Sequence, residues 1–249
     1  MRLVSWLQPS WVADKVRFLW HCVRRRHTLA RFLGREEFLL HCLEHQPDIA
    51  RFFREQHEGR SLLFGMGDGS VWQSELPFVQ ELVEKANALP GPIIEVGTLF
   101  GFTTTRMAVW KAPEKRIVTV DNYCGNFWHL TPASHRALTR CILCYLVETG
   151  QVEIVDADKN DFYAGYRGDP PALVFLDADH TYEETCRDIR WARQVGARII
   201  AGHDYVFEGV YRAVNEAGGP ARLHETVWAL PSPDLERTPR RPAAHCRAA

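Results

Sequence analysis

The hydrophobic and polar positions of this chain change rhythm about a third of the way along. Over residues 10–58 the apolar side chains recur at helical spacing: Trp11, Phe18, Leu19 and Cys22, then Phe38, Leu39 and Cys42. Gly34 and Pro47 punctuate that stretch into about three helices. Gly59, Gly65, Gly67 and Gly69 then mark a loop, read as a mobile linker or lid over residues 61–76. Phe78, Leu82, Val83 and Ala86 share one face of a helix over Pro77–Leu89, ended by Pro90-Gly91. From there short apolar runs alternate with helical patterns. PIIEVG, RIVTVD, VEIVDAD, ALVFLDAD and ARIIAGHD read as strands; TTTRMAVWK, SHRALTRCILCYLVETG, YEETCRDIRWARQVG and GVYRAVNEAGG read as helices; a last β segment lies near ETVWAL.

Strands alternating with helices imply an α/β domain with a doubly wound, mostly parallel, Rossmann-like sheet. The runs IVTV and ALVFL show no polar alternation, as expected of strands buried on both faces. The pattern therefore predicts a helical N-terminal extension (1–60), the linker (61–76), an α/β domain (77–230) and a disordered Pro/Arg/Ala-rich tail (231–249).

Composition narrows the function classes. Thirty basic against 31 acidic side chains leave no electrostatic footprint for nucleic acid. Residues 1–60 carry a local excess, eleven Lys/Arg against seven Asp/Glu, including Arg24-Arg25-Arg26. That run reads as a solvated helix end or, with Trp6, Trp11 and Trp20, as a peripheral contact with an anionic membrane. No stretch has the length and apolarity of a membrane span, and the N-terminus, broken by Gln8, Pro9 and Asp14, is a poor signal peptide. Seven scattered cysteines argue for a reducing, cytoplasmic setting rather than a disulfide framework. Cys141 and Cys144 form a lone CxxC in a helical pattern with no second ligand pair nearby, which reads as two helix thiols rather than a zinc site.

Ligands bind such sheets at the carboxyl ends of the strands, and here those ends are acidic: Glu95, Asp121, Asp156 and Asp158, Asp177 and Asp179, then His203-Asp204. In the first turn, Glu95-Val-Gly97-Thr98-Leu-Phe-Gly101, Gly97 permits a sharp turn where backbone and ligand nearly touch, and Gly101 a close approach of the helix. The spacing is not that of a pyrophosphate-binding loop, and Leu99 and Phe100 leave little room for phosphates. Asp121, twenty residues past Gly101, is placed to accept from both ribose hydroxyls. Together these features point to a nucleoside ligand not anchored by phosphate.

At these residues the chain resembles the class I S-adenosylmethionine (SAM)-dependent methyltransferases. EVGTLFGFTTT, VTVD, VEIVDAD, LVFLDADHTYEE, IIAGHDY and GVYRAV follow that family's motifs in order. The likeness is strongest to a small bacterial branch with a DADHTYE…GHDY signature, related to sugar and small-molecule O-methyltransferases, and covers about residues 75–230. The resemblance implies a seven-stranded sheet with an antiparallel last strand, TVWAL. It implies that Glu95, Gly97, Thr98 and Gly101 hold the methionine end of SAM and Asp121 the ribose. Ala157 and Asp158 would flank adenine, Asp158 accepting from its amine, with Asp177 facing the reactive methyl group.

A hydroxyl acceptor must lose a proton, to a general base or through a metal that acidifies it. Asp177, His203 and Asp204 end adjacent strands and could do either. As metal ligands they depart from the carboxylates and Asn that hold Mg²⁺ in relatives, since His203 also suits Mn²⁺, Fe²⁺ or Zn²⁺. His203 could instead be a metal-free base or bond a loop carbonyl. His180 and Tyr182, after a capping Asp179, are open to a structural or a catalytic role. Two other classes stand beside this reading: a SAM-binding domain without chemistry, and an NAD-dependent oxidoreductase, which the glycine spacing disfavours. A small-molecule acceptor would meet the N-terminal helices, the 59–75 loop and Tyr123–His129.

Overall fold

A computed structural model describes residues 71–236 except Gln73 and residues 126–130, and within that range every side chain but those of Ser134, Cys141, Cys144 and Tyr145. The helices expected over 10–58, the loop up to residue 70, the Cys141 and Cys144 thiols and residues 237–249 lie outside what is described.

Helix α1 (Leu76–Asn87) carries Pro77 in its first turn, where the fixed φ of proline is suited. Then follow β1 (Ile93–Val96), α2 (Phe102–Trp110), β2 (Ile117–Asp121), α3 (Pro132–Glu148), β3 (Val152–Asp156), α4 (Lys159–Gly165), β4 (Leu173–Leu176), α5 (Tyr182–Gln194) and β5 (Ile199–Gly202). The chain finishes with α6 (Glu208–Glu216), β6 (Arg222–His224), β7 (Val227–Ala229) and α7 (Pro233–Glu236). The sheet order is β3-β2-β1-β4-β5-β7-β6. The first five strands pair in parallel, and β7 runs antiparallel to both β5 and β6, as the resemblance implied.

Alternate residues of the buried strands feed two cores. Ile93, Ile117, Leu173, Phe175 and Ile199 pack with α1, α2 and α3 on one face. Ile94, Val118, Val174, Leu176 and Ile200 pack with α5 and α6 on the other. An apolar layer on both faces is why these strands show no polar alternation.

Three boundaries differ from the sequence reading. Helix α4 was not expected, because KNDFYAG buries no residue and so has no apolar stripe to signal it. Strand β6 is only three residues long and mostly exposed. The tail keeps its order past Leu230, since Leu235 of α7 is buried in the α1-side core.

Strand order reverses between β1 and β4, and there Gly97 has a φ of +98°. A Cβ at Gly97 would stand 2.0 Å from the carbonyl oxygen of Asp177, whereas one at Gly101 would meet only the Leu143 side chain, at 2.8 Å. Gly97 is thus required by the approach of one chain segment to another, not by a ligand alone. Gly97→Ala should therefore cost about 2–4 kcal/mol in unfolding free energy, from the left-handed backbone and the clash together. Gly101→Ala shares the left-handed backbone (φ +78°) but meets a side chain at 2.8 Å rather than backbone at 2.0 Å, and should cost less. Urea denaturation of both variants checks the order, and equal costs would contradict this account.

Candidate functional site

Two groups of residues gather at the carboxyl ends of the strands, one on each side of the β1/β4 switch point, where sheets of this kind bind ligands. On the first rim, Asp121 ends β2 and gathers three backbone amides. Its Oδ2 accepts from Thr98 (2.9 Å) and Leu99 (2.8 Å), and its Oδ1 from Tyr123 (2.7 Å). A carboxylate has about four acceptor positions, so capacity remains for a ligand hydroxyl. The β2/β3 register sets Asp156 beside Asp121, and the Ala157 amide donates to the Asp121 carbonyl (3.1 Å). That brings Ala157 and Asp158 to the same rim. Asp158 caps α4 by accepting from the Asn160 amide (2.8 Å) and lies 3.4 Å from the Asn122 amide nitrogen.

Glu95 lies beneath this rim rather than on it. It is 1 % exposed, and its Oε2 accepts from the hydroxyls of Thr104 and Thr119. Burial pushes its carboxyl up to about 8 against those hydrogen bonds, with Asp177 and Asp121 adding repulsion.

On the second rim, the pairing of Leu176 with Gly202 sets Asp177 next to His203-Asp204. Asp204 turns the chain through a left-handed conformation (φ 59°). His180 Nε2 lies 3.0 Å from Asp204 Oδ2 and 3.9 Å from Asp177 Oδ1, its ring stacked on Phe207. Ligand atoms of Asp177, His180 and Asp204 fall within 4.8 Å of one another. Burial disfavours the His180 cation, but the adjacent carboxylates of Asp177 and Asp204 outweigh it and hold the ring up at about 9. Burial likewise opposes the Asp204 anion, yet His180 and His203 keep its carboxyl well below the usual range.

His203, which the sequence leaves open as metal ligand, base or structural residue, is withdrawn from the open side of the acids. It is 3 % exposed, and its Nε2 lies 2.9 Å from the fully buried Glu75. Glu75 accepts four contacts: His203 and the Trp72 amide (2.8 Å) on Oε2, the Thr226 amide (2.8 Å) and hydroxyl (2.6 Å) on Oε1. Nδ1 of His203 sits 3.5 Å from both Asp177 and Asp204 without hydrogen-bond geometry. Burial again works against the charge, and the two aspartates overcome it, raising His203 to about 11. The structure therefore places His180, at 35 % side-chain exposure, where the sequence placed His203. Glu75 gave no sequence signal: it belongs to the glycine-bearing segment read as a linker, 128 positions from its partner.

A divalent cation fits this rim by the chemistry of its donors. Nε2 of His180 and Nδ1 of His203 are buried nitrogens with no hydrogen-bond partner among the described residues, both beside the two aspartates. A set of two carboxylates and an imidazole suits Mn²⁺, Fe²⁺ or Zn²⁺ better than Mg²⁺.

Residues 94–205 match a family model described as a methyltransferase domain. A catechol O-methyltransferase of Mycobacterium tuberculosis is 27 % identical over 149 residues, 59 % of this chain and 63 % of that protein. The match thus spans a little under two thirds of that relative. An O-methyltransferase from Bacillus cereus in complex with SAH superposes with a TM-score of 0.51 at 14 % identity, covering 81 % of this chain and 97 % of the other. A TDP-rhamnose 3'-O-methyltransferase of calicheamicin biosynthesis gives 0.52 at 19 % identity, covering 78 % and 92 %.

The site's electrostatics set a pH dependence for the cation-free protein. Glu95 is raised to about 8, His180 to about 9 and His203 to about 11. The stability each contributes is complete below its unfolded pKa and is lost as pH rises through the folded one. Glu75 and Asp204 are shifted down, so their contribution is lost only in acid. Urea midpoints taken in chelator should fall from about pH 6 to pH 10. A midpoint that rises over that range would contradict the pairing described.

Proposed function

We propose that this chain transfers the methyl group of SAM to a hydroxyl of a small molecule, because residues 94–205 match a methyltransferase-domain model and lie on a seven-stranded, mostly parallel sheet with an antiparallel end. The observation that carries the reading is the pair of rims: an amide-lined carboxylate without a phosphate cradle, facing a cluster of acids and imidazoles across one crevice. The similar proteins include a catechol and a sugar O-methyltransferase, and a hydroxyl acceptor on a catechol or sugar is the corresponding expectation here.

In this reading Asp121 takes the ribose hydroxyls with the acceptor capacity its three amides leave. Ala157 and Asp158, beside it, flank the adenine. Gly97, Thr98 and Gly101 carry the loop at the methionine end, and Glu95 supports that loop from below through Thr104 and Thr119. SAM brings an activated methyl group, so alignment is the main task, and placing the acceptor in line can contribute about 7–11 kcal/mol. Asp177, His180 and Asp204 would hold a divalent cation, which when bound acidifies the acceptor hydroxyl. Glu75 keeps His203 fixed behind them, and Phe207 keeps the His180 ring in plane. Exposed Val206, Phe207 and Tyr211 offer the acceptor an apolar border.

No helix among the described residues is long and apolar enough to cross a membrane. Cys124 and Cys186 are free thiols among the described residues, which fits a reducing, cytoplasmic setting.

Two measurements test this function. Asp121→Ala should weaken SAM binding by about 1.5–3 kcal/mol, the range for hydrogen bonds at a charged group. Stability must be read alongside, because three amides lose their acceptor; unchanged affinity in the folded variant removes the cofactor assignment. Exhaustive chelation should abolish transfer of labelled methyl to catechol or sugar acceptors while SAM still binds, and Asp204→Ala should reproduce that loss. Full activity after chelation would leave His180 to act without a metal.

A further inference from the structure

Leu99 and Tyr123, both on the Asp121 rim, have left-handed backbones (φ 48° and 59°) that an L side chain disfavours. Asp121 accepts from the amides of both. The carbonyls of the same two residues meet a single imidazole. Nε2 of His135 lies 2.9 Å from the Leu99 oxygen, and Nδ1 lies 3.2 Å from the Tyr123 oxygen. Thr139 adds a second donor to Leu99, at 2.6 Å. His135 is wholly buried on α3, its ring 4.7 Å from that of Phe100 and edge-on to Tyr123 at 5.2 Å.

A carbonyl oxygen only accepts, so each contact is a hydrogen bond only while the facing nitrogen carries a proton. A ring kept merely to fill space would need neither nitrogen. Here both are aimed at the two residues whose amides hold the ribose carboxylate.

We propose that His135 is a positioning residue for the cofactor. By donating to the Leu99 carbonyl, and to the Tyr123 carbonyl as well when both ring nitrogens carry protons, it steadies the left-handed backbone of these residues. The amides on their preceding peptide planes then converge on Asp121, and that convergence aims the carboxylate at the ribose. The inference rests on the SAM reading of this rim. It assigns His135 no contact with the cofactor and no part in the chemistry.

Phenylalanine is the discriminating replacement, since it keeps the ring contacts with Phe100 and Tyr123 and removes both nitrogens. SAH affinity of the full chain is measured by calorimetry for wild type, His135→Phe and His135→Gln, beside melting temperature and amide hydrogen exchange. His135→Phe should bind SAH roughly tenfold or more weakly, as expected for lost buried hydrogen bonds. Its melting temperature should fall by only a few degrees, since a buried carbonyl loses its donor while the ring packing is kept. The Thr98, Leu99 and Tyr123 amides should lose protection while those of β4 and β5 keep theirs. His135→Gln, with one amide nitrogen to donate, should recover part of the affinity. Should His135→Phe fail to fold, His135→Gln decides: weakened SAH binding at unchanged melting temperature supports the proposal, and unchanged affinity overturns it. Equal SAH affinity in wild type and folded His135→Phe overturns this inference alone, whereas a wild type that does not bind SAH overturns the cofactor reading and this inference with it.

Discussion

The contact on which the rest of the structure depends is the approach of Gly97 to the Asp177 carbonyl, so close that a Cβ would stand 2.0 Å from that oxygen. It joins β1 and β4 where the strand order reverses. In a doubly wound sheet the loops part at that point and open a crevice. Everything on the Asp121 side follows β1 and β2, and everything on the Asp177 side follows β4 and β5. A missing side chain at position 97 therefore fixes the distance between the two halves of the site.

The two halves solve the same problem, a carboxylate at the end of a buried strand, by different means. Asp121 is held by neutral amides, which leave it acceptor capacity for hydroxyls. Asp177 and Asp204 are balanced by imidazoles, with Glu75 behind one of them. Amide donors cannot be exchanged for a cation, but imidazole protons can. One rim is suited to holding a neutral polar ligand and the other to trading protons for a metal ion.

Much of this was legible in the chain. The five parallel strands, the acids at their ends and the glycine turn are all local patterns, set by apolar runs that end in polar residues. The rest depends on contacts that no local pattern encodes. Glu75 finds His203 across 128 positions, and a glutamate in a glycine-bearing segment looks like solvent-facing loop until its four donors are in place. His135 occupies a helix position where a polar residue reads as surface, yet it is wholly buried. His180 was visible as part of DADHTYE, but only the fold shows that it, not His203, reaches the open side of the acids. The short elements were lost for want of a strong apolar signal: α4 has seven residues, none fully buried, and β6 has three.

The central claim is that a SAM-type cofactor and a divalent cation occupy the two rims of one crevice. A crystal structure of the chain grown with SAH and Mn²⁺, with the metal located by its anomalous scattering, tests it most directly. The account predicts ribose hydroxyls on Asp121 and an anomalous peak touching Asp177, His180 and Asp204. SAH bound away from Asp121, or a metal that leaves Asp177 and Asp204 untouched, would contradict it.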